Sequence, residues 1–368
     1  MNPTLVIILI GCFVAASCAL IGSFLVLRRM ALLGDAVSHA VLPGIVIAFL
    51  LTGQRSALPM VIGAGALGVV TVFLVGVLDR SRRMHSDASI GVVFPALFSI
   101  GVILISRFAG QVDLDLDCVL YGEIAFAPWN TLTLAGRALG PKALWVMGGV
   151  LALNIAFVAA FWKELKLTTF DAELAAAVGF SPVLLHYLLM SAVSITVVGA
   201  FESVGAILVV AMLVVPPAAA YLLTESLGRM IVAAIGIGIA SAISGYAFAR
   251  WYDCSIAGGM AVAAGAFFLA ALLFSPRHGL IRRALTHRAL ALRLSGQLLM
   301  LHLQHDGDAV PRAAIERRFG WSRRRLARVL RALVRDGFVE VVTNGVRLTA
   351  RGDDAIEASG AAALAHRG

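Results

Sequence analysis

The sequence predicts an all-α polytopic membrane protein of eight or nine transmembrane helices, followed by a small α+β domain in the cytoplasm. Three observations carry that prediction. Of 368 residues, 60% are hydrophobic and only 14% charged, with a mean hydropathy of +0.93, a balance outside the range of soluble domains. Apolar runs of about 20 residues, the length that crosses a bilayer core, recur over most of the chain. The formal net charge of +9 belongs to the C-terminal part: from Arg277 onward 17 arginines face eight acids, whereas the preceding residues hold 13 basic and 13 acidic groups.

A membrane body over 1–276, a linker over 277–286 and a basic tail over 287–368 follow from this division. The apolar runs fall near 4–27, 36–52, 57–78, 88–106, 143–162, 184–200, 203–223, 229–249 and 255–274. The pair covering 184–223 is nearly continuous and must break between Gly199 and Gly205; if one piece is re-entrant, the count is eight. Basic clusters at Arg28-Arg29, Arg80-Arg82-Arg83, Lys163-Lys166, Arg229 and Arg277-Arg282-Arg283 all fall in the cytoplasm when nine spans start from an outer N-terminus. Asp253 and the acidic loop with Asp113, Asp115, Asp117 and Glu123 then fall outside. The first run lacks a basic n-region and an A-x-A cleavage site, and so reads as a retained span. Cys12, Cys18, Cys118 and Cys254 are scattered and imply neither a disulfide framework nor a zinc knuckle.

The chemistry concentrates at the second run, in Arg28-Arg29-Met-Ala-Leu-Leu-Gly34-Asp35-Ala-Val-Ser38-His39-Ala-Val-Leu-Pro43-Gly44. Four residues apart, Asp35 and His39 share a helix face with Ser38 beside them. Ionisable groups at membrane depth are costly and mark polar pathways or pair with each other. A carboxylate with a neutral imidazole suits Mn²⁺, Fe²⁺ or Zn²⁺. The spacing equally fits a helix start in which Gly34 breaks, Asp35 caps and His39 satisfies a neighbour, since two ligands alone do not make a metal site. Glu202 stands in a long apolar stretch as a gate, a second metal contact or the aqueous end of a helix. Asp87 opens a span, where a capping role suffices.

ATP hydrolysis through a P-loop is excluded. That loop needs Gly-x-x-x-x-Gly-Lys-Ser/Thr to hold phosphates, and none of the three lysines, Lys142, Lys163 and Lys166, precedes Ser or Thr. Energy must come from another subunit or from an ion gradient.

Several segments follow one another in a recognisable order: Arg28 to Gly44, Ser86-Asp87-Ala-Ser-Ile-Gly91, Asp113 to Gly122, Asp171 to Gly179, and Gly205 through Pro216-Pro217 to Ala220. In this order they resemble the permease subunits of bacterial ABC importers for manganese, zinc or ferrous iron, over roughly residues 4–275. The resemblance implies a multi-pass protein of the cytoplasmic (inner) membrane that pairs with a second permease subunit, identical or paralogous. It also implies cytoplasmic ABC ATPase subunits and an extracytoplasmic metal-binding protein as partners. Asp35 and His39 map to the family's metal path, with Ser38, Asp87 and Glu202 as weaker candidates. The segment 171–182, with Asp171, Glu173, Ala175 and Gly179, maps to the helix that couples to the ATPase. No permanently bound cofactor is implied; Mn, Zn or Fe is cargo.

The tail has its own pattern. Leu290–Gln304 and Pro311–Phe319 read as helices, and Ser322 caps a third over Arg323–Asp336, whose apolar positions are Leu326, Val329, Leu330 and Leu333. Its other face carries Arg323, Arg324, Arg325, Arg328, Arg331 and Arg335. Thr343-Asn344-Gly345 is a hairpin turn signal. Helix, helix, arginine-rich helix and hairpin resemble a winged helix of the diphtheria-toxin-repressor type. Clustered arginines suit nucleic-acid contacts, although a docking or assembly module that has lost DNA binding is the favoured reading for a tethered tail. Two further functional readings stay open: a membrane-tethered metal-responsive transcription regulator, and a permease for metal chelates such as siderophores or corrinoids.

Overall fold

A computed structural model describes residues 2–52, 57–80, 86–108, 124–134, 137–275, 279–306 and 309–356. The acidic residues 113–123, Cys118 and His85 lie outside them. The chain divides into two units, Met1–Gly279 and Leu280–Gly368.

The first unit is organised about helix α1 (Pro3–Leu27). Asn2 caps it by accepting the Thr4 amide, and Pro3 takes the first position, where an absent N–H leaves nothing unbonded. Every residue from Val14 to Leu25 is buried. A helix that is apolar all round belongs inside, and α1 is surrounded by α5 (Lys142–Ala160), α8 (Pro182–Val204), α9 (Ala206–Leu223) and α10 (Leu227–Tyr252). Helix α2 (Ala31–Thr52) packs on α3 (Ala57–Arg80) and α4 (Ser86–Phe108), and touches α8 and α9. Helix α11 (Ile256–Phe274) lies on α9 and α10.

Seven of these helices, α1, α4, α5, α8, α9, α10 and α11, are long and apolar enough to cross a membrane; α2 and α3 run 22 and 24 residues. Their crossings use small residues, which let backbones approach where no solvent drives association. A Cβ on Gly44 would strike the Gly63 backbone, one on Gly245 the Met260 backbone, and one on Gly22 the Leu213 carbonyl. Pro217 removes the amide that would otherwise bond Leu213 O, four residues earlier. That carbonyl is therefore spare, and it faces Gly22 of α1. The long apolar stretch divides at Gly205, whose φ of 78° and ψ of 165° end α8 and start α9 in a conformation suited to glycine.

Three features depart from the expected outline. The stretch before α5 carries a two-stranded antiparallel hairpin, β1 (Thr131–Leu134) and β2 (Arg137–Pro141), so the membrane unit is not purely helical. The period-two run Thr-Leu-Thr-Leu is its signal. The basic turn at Lys163-Lys166 is itself helical, α6 (Trp162–Phe170). Helix α12 (Leu280–Asp306) begins inside the segment expected as linker, because its first residues are Leu, Ile, Arg and Ala with no breaker among them.

One polar knot lies in the core. Asn154 of α5 is fully buried and donates through Nδ2 to Ser17 Oγ of α1 and Thr196 Oγ1 of α8, each at 2.7 Å. The Thr196 hydroxyl donates in turn to Ala192 O at 2.7 Å. Interhelical bonds of this kind contribute about 0.6 to 2 kcal/mol in membrane proteins. Asn154→Ala is expected to cost roughly 1–2 kcal/mol, read as a fall of several degrees in the thermal midpoint of the detergent-solubilised protein; an unchanged midpoint would show that the knot contributes nothing.

In the second unit, α12 is followed by α13 (Arg312–Phe319), α14 (Arg323–Arg335) and the antiparallel pair β3 (Val339–Val342) and β4 (Gly345–Leu348). Ser322 caps α14 by accepting the Arg325 amide, and Leu326, Val329, Leu330 and Leu333 are buried. Val310 bonds to Val346 in both directions at 3.0 Å, adding one rung beside β4.

Candidate functional site

The side chains of Asp35, Ser38, His39, Asp87 and Glu202 lie outside the described set, so their positions rest on the backbone. Helix α2 is continuous from Ala31. Gly34 therefore stands inside the helix, and Asp35 is one turn in rather than at its cap. Asp35 and His39 occupy successive turns of one face. The surrounding contacts bracket this stretch. Gly34 lies against the Leu213 side chain of α9, and a Cβ on Gly101 of α4 would come within 2.8 Å of the Pro43 ring. Pro43 also has no N–H to offer the carbonyl of His39. Two successive turns of α2 thus carry a carboxylate residue, an imidazole residue and a backbone oxygen that lacks its usual helix donor, all hard-to-borderline donor types. Asp87 is the second residue of α4, and Glu202 stands in the last turn of α8, just before the Gly205 break. Among the described residues there is no group of three or more His, Cys, Asp or Glu.

A second constellation sits by the C-terminal end of α1. Helix α7 (Ala172–Ala177) starts at Asp171, whose Oδ1 accepts the Leu174 amide at 2.9 Å. It stops at Gly179, where φ is 98° and Phe180 N returns to Ala175 O at 3.0 Å. Asp171 is thus a cap. Ala175 points inward, 0% exposed, whereas Leu174 and Val178 are 49% and 61% exposed and Glu173 is exposed beside them. Phe170 and Leu184, nearby in the chain, are exposed as well, at 62% and 59%. These outward residues were not among those the sequence singled out: a six-residue helix is too short for periodicity to assign its faces.

The α1 end meets this segment directly. Arg28 donates from Nε to Thr169 Oγ1 at 3.1 Å and from Nη2 to Thr168 Oγ1 at 2.9 Å. Burial lowers the Arg28 pKa from its ordinary value. The basic cluster at 28–29 and that at 163–166 consequently share one end of the bundle.

The arginines of α14 differ in their surroundings. Arg325 turns back on its own unit, donating to Ser295 Oγ at 3.0 Å with its guanidinium 5.2 Å from the Trp321 ring. Arg323 stands 3.8 Å from Glu316. Arg324 and Arg328 are exposed on one face, and Arg331 continues it.

Residues 2–275 match the ABC 3 transport family. The chain belongs to that family. It is 51% identical over 279 residues to the manganese transport system membrane protein MntD of Bacillus subtilis, covering 76% of this chain and 94% of that protein. It is 45% identical over 355 residues to the zinc transport system membrane protein TroD of Treponema pallidum, covering 95% and 96%. Among solved structures, PsaBC from Streptococcus pneumoniae in complex with Fab superposes with a TM-score of 0.63 at 29% identity, over 76% of this chain and 94% of that one. An inward-facing putative metal-chelate type ABC transporter, at 18% identity and a TM-score of 0.52, shares the fold. This ABC 3 protein is a membrane permease subunit and not an enzyme; ATP hydrolysis falls to a separate subunit.

Proposed function

We propose that this permease carries a divalent first-row metal, Mn²⁺, Zn²⁺ or Fe²⁺, inward along the face of α2 that bears Asp35 and His39. The observation that carries this reading is the placement of that pair one turn inside a helix wedged between α3, α4 and α9. Relatives named for manganese, zinc and iron transport agree with a borderline ligand set. Ser38 lies beside the pair, with Asp87 and Glu202 as outlying candidates. The exposed apolar residues Phe170, Leu174, Val178 and Leu184 dock the cytoplasmic ATPase, with Asp171 and Gly179 shaping the helix between them. An external binding protein delivers the metal, and a second permease subunit completes the pathway. We read the protein as spanning the inner membrane nine times, N-terminus outside and tail inside.

The second unit is read as a winged-helix-like domain, supported by its order of three helices and a hairpin. Its exposed Arg324, Arg328 and Arg331 form the positive face, while Arg325 holds the domain together. The MntD match takes in 94% of that protein over only 279 residues, whereas the TroD match covers 95% of this chain and so extends into this unit. A match that nearly exhausts one relative in 279 residues fits a role of this unit in regulation or assembly better than one in the transport path or in sequence-specific DNA binding.

One experiment addresses both parts: ATP-driven uptake of radioactive manganese into vesicles holding the permease, its ATPase and its binding protein, with zinc and ferrous iron as competitors. Saturable uptake displaced by at least one competitor is expected, and a chain ending at Gly279 should retain it. Absence of ATP-dependent uptake of all three metals would sink the transport reading. Loss of uptake in a well-assembled truncation would make the tail part of the machinery.

A further inference from the structure

We propose that Arg28 is the positioning residue that links the ATPase-facing segment to the helix carrying Asp35 and His39, its guanidinium spanning the Thr168 and Thr169 hydroxyls. This rests on the reading of α7 as the docking element. Arg28 caps α1, and only Arg29 and Met30 separate it from α2. Thr169 precedes Asp171, the cap of α7, by two positions. A displacement of α7 therefore reaches the α1–α2 turn through one side chain, and Asp35 stands on the first turns beyond it.

The local geometry suits a latch that opens and closes. Thr168 is buried and its hydroxyl donates to Glu164 O at 2.8 Å, which orients its lone pairs toward Arg28. Both acceptors are neutral. Among the described residues no carboxylate pairs with Arg28, so the contact holds a half-buried cation without the tight grip of a bidentate ion pair. On the other side of the latch, Arg29 sits at φ 58°, a left-handed conformation that a residue with a Cβ leaves readily. Met30 N bonds back to Leu25 O at 2.9 Å and closes the turn. A clamp held by neutral hydroxyls beside a left-handed residue is the element that would switch between two states, as coupling between distant sites requires.

The test uses the complete transporter in proteoliposomes and reads metal moved per ATP hydrolysed. Arg28→Ala, and separately the shape-preserving pair Thr168→Val with Thr169→Val, are each expected to lower that ratio about tenfold, the scale of losing hydrogen bonds to a charged group. ATP hydrolysis itself should stay within about twofold, and combining all three changes should be no worse than either set alone, the signature of one shared interaction. Arg28→Lys, which keeps the charge but not the fork, should fall between. An unchanged ratio in the valine pair, or losses that multiply on combination, would overturn the latch. A photo-cross-linking residue at Leu174 reports separately on docking. If it captures the ATPase while the ratio is unchanged in the mutants, docking stands and the latch falls. If it captures nothing in the otherwise unaltered transporter, the docking reading fails and takes the latch with it.

Discussion

Asp35→Asn and His39→Ala are each expected to reduce metal uptake by about 100-fold or more, since even the outer-shell partners of a bound metal command roughly 10–100-fold. Asparagine makes the sharper probe. It matches aspartate in size and is an equally good helix cap, so a merely structural Asp35 would tolerate it. It lacks the charge that a divalent ion needs in a low-dielectric passage, where an uncompensated cation is costly. Helix α2 begins at Ala31, so Asp35 has no cap to lose. Uptake of radioactive manganese in the assembled complex is the measurement, with recovery of both subunits from detergent extracts as the control. Near-normal uptake in both single mutants would remove the pair from the path. Ser38→Ala should have a smaller effect, because a neutral hydroxyl adds little to a site already holding a carboxylate and an imidazole.

What could be read in advance divides along the range of the interactions involved. The break at Gly205, the stop at Gly179 and the cap at Ser322 are decided by one residue's backbone freedom or one side-chain oxygen, and such signals survive in a linear string. The buried positions Leu326, Val329, Leu330 and Leu333 follow from helical period over about two turns. Contacts between remote residues carry no such trace. Nothing in the neighbourhood of Arg28 announces Thr168 and Thr169 as its partners, and nothing around Asn154 announces Ser17 and Thr196. The arginines of α14 show the same limit: three consecutive side chains, Arg323 to Arg325, differ because Glu316 lies near the first while Ser295 and Trp321 receive the third. The pair at Asp35 and His39 stands out in the sequence because polarity inside an apolar run needs no partner to be noticed; the spacing alone left the capping alternative open, and the start of α2 at Ala31 puts Asp35 inside the helix.

The coupling surface carries the other large effect. Leu174→Asp together with Val178→Glu should reduce copurification of the ATPase by more than about tenfold, since losing a central apolar contact costs about 2 kcal/mol or more. Both side chains point outward, so the change leaves the permease core untouched. Ala175 offers the useful contrast. At 0% exposed it packs against its own protein, and Ala175→Glu would bury a charge and unsettle α7 itself. Gly179→Ala lies between these cases: no atom obstructs the new methyl, but the backbone at φ 98° resists any Cβ. If α7 meets the ATPase through Leu174 and Val178, the outward pair abolishes binding in a protein that melts like the parent, whereas Ala175→Glu lowers the melting midpoint as well. A double mutant that still retains the ATPase and transports metal would place the contact elsewhere on the cytoplasmic end. Because Phe170 and Leu184 are exposed nearby in the chain, Phe170→Glu should then be the first alternative to show the loss, and its silence would end the case for this surface.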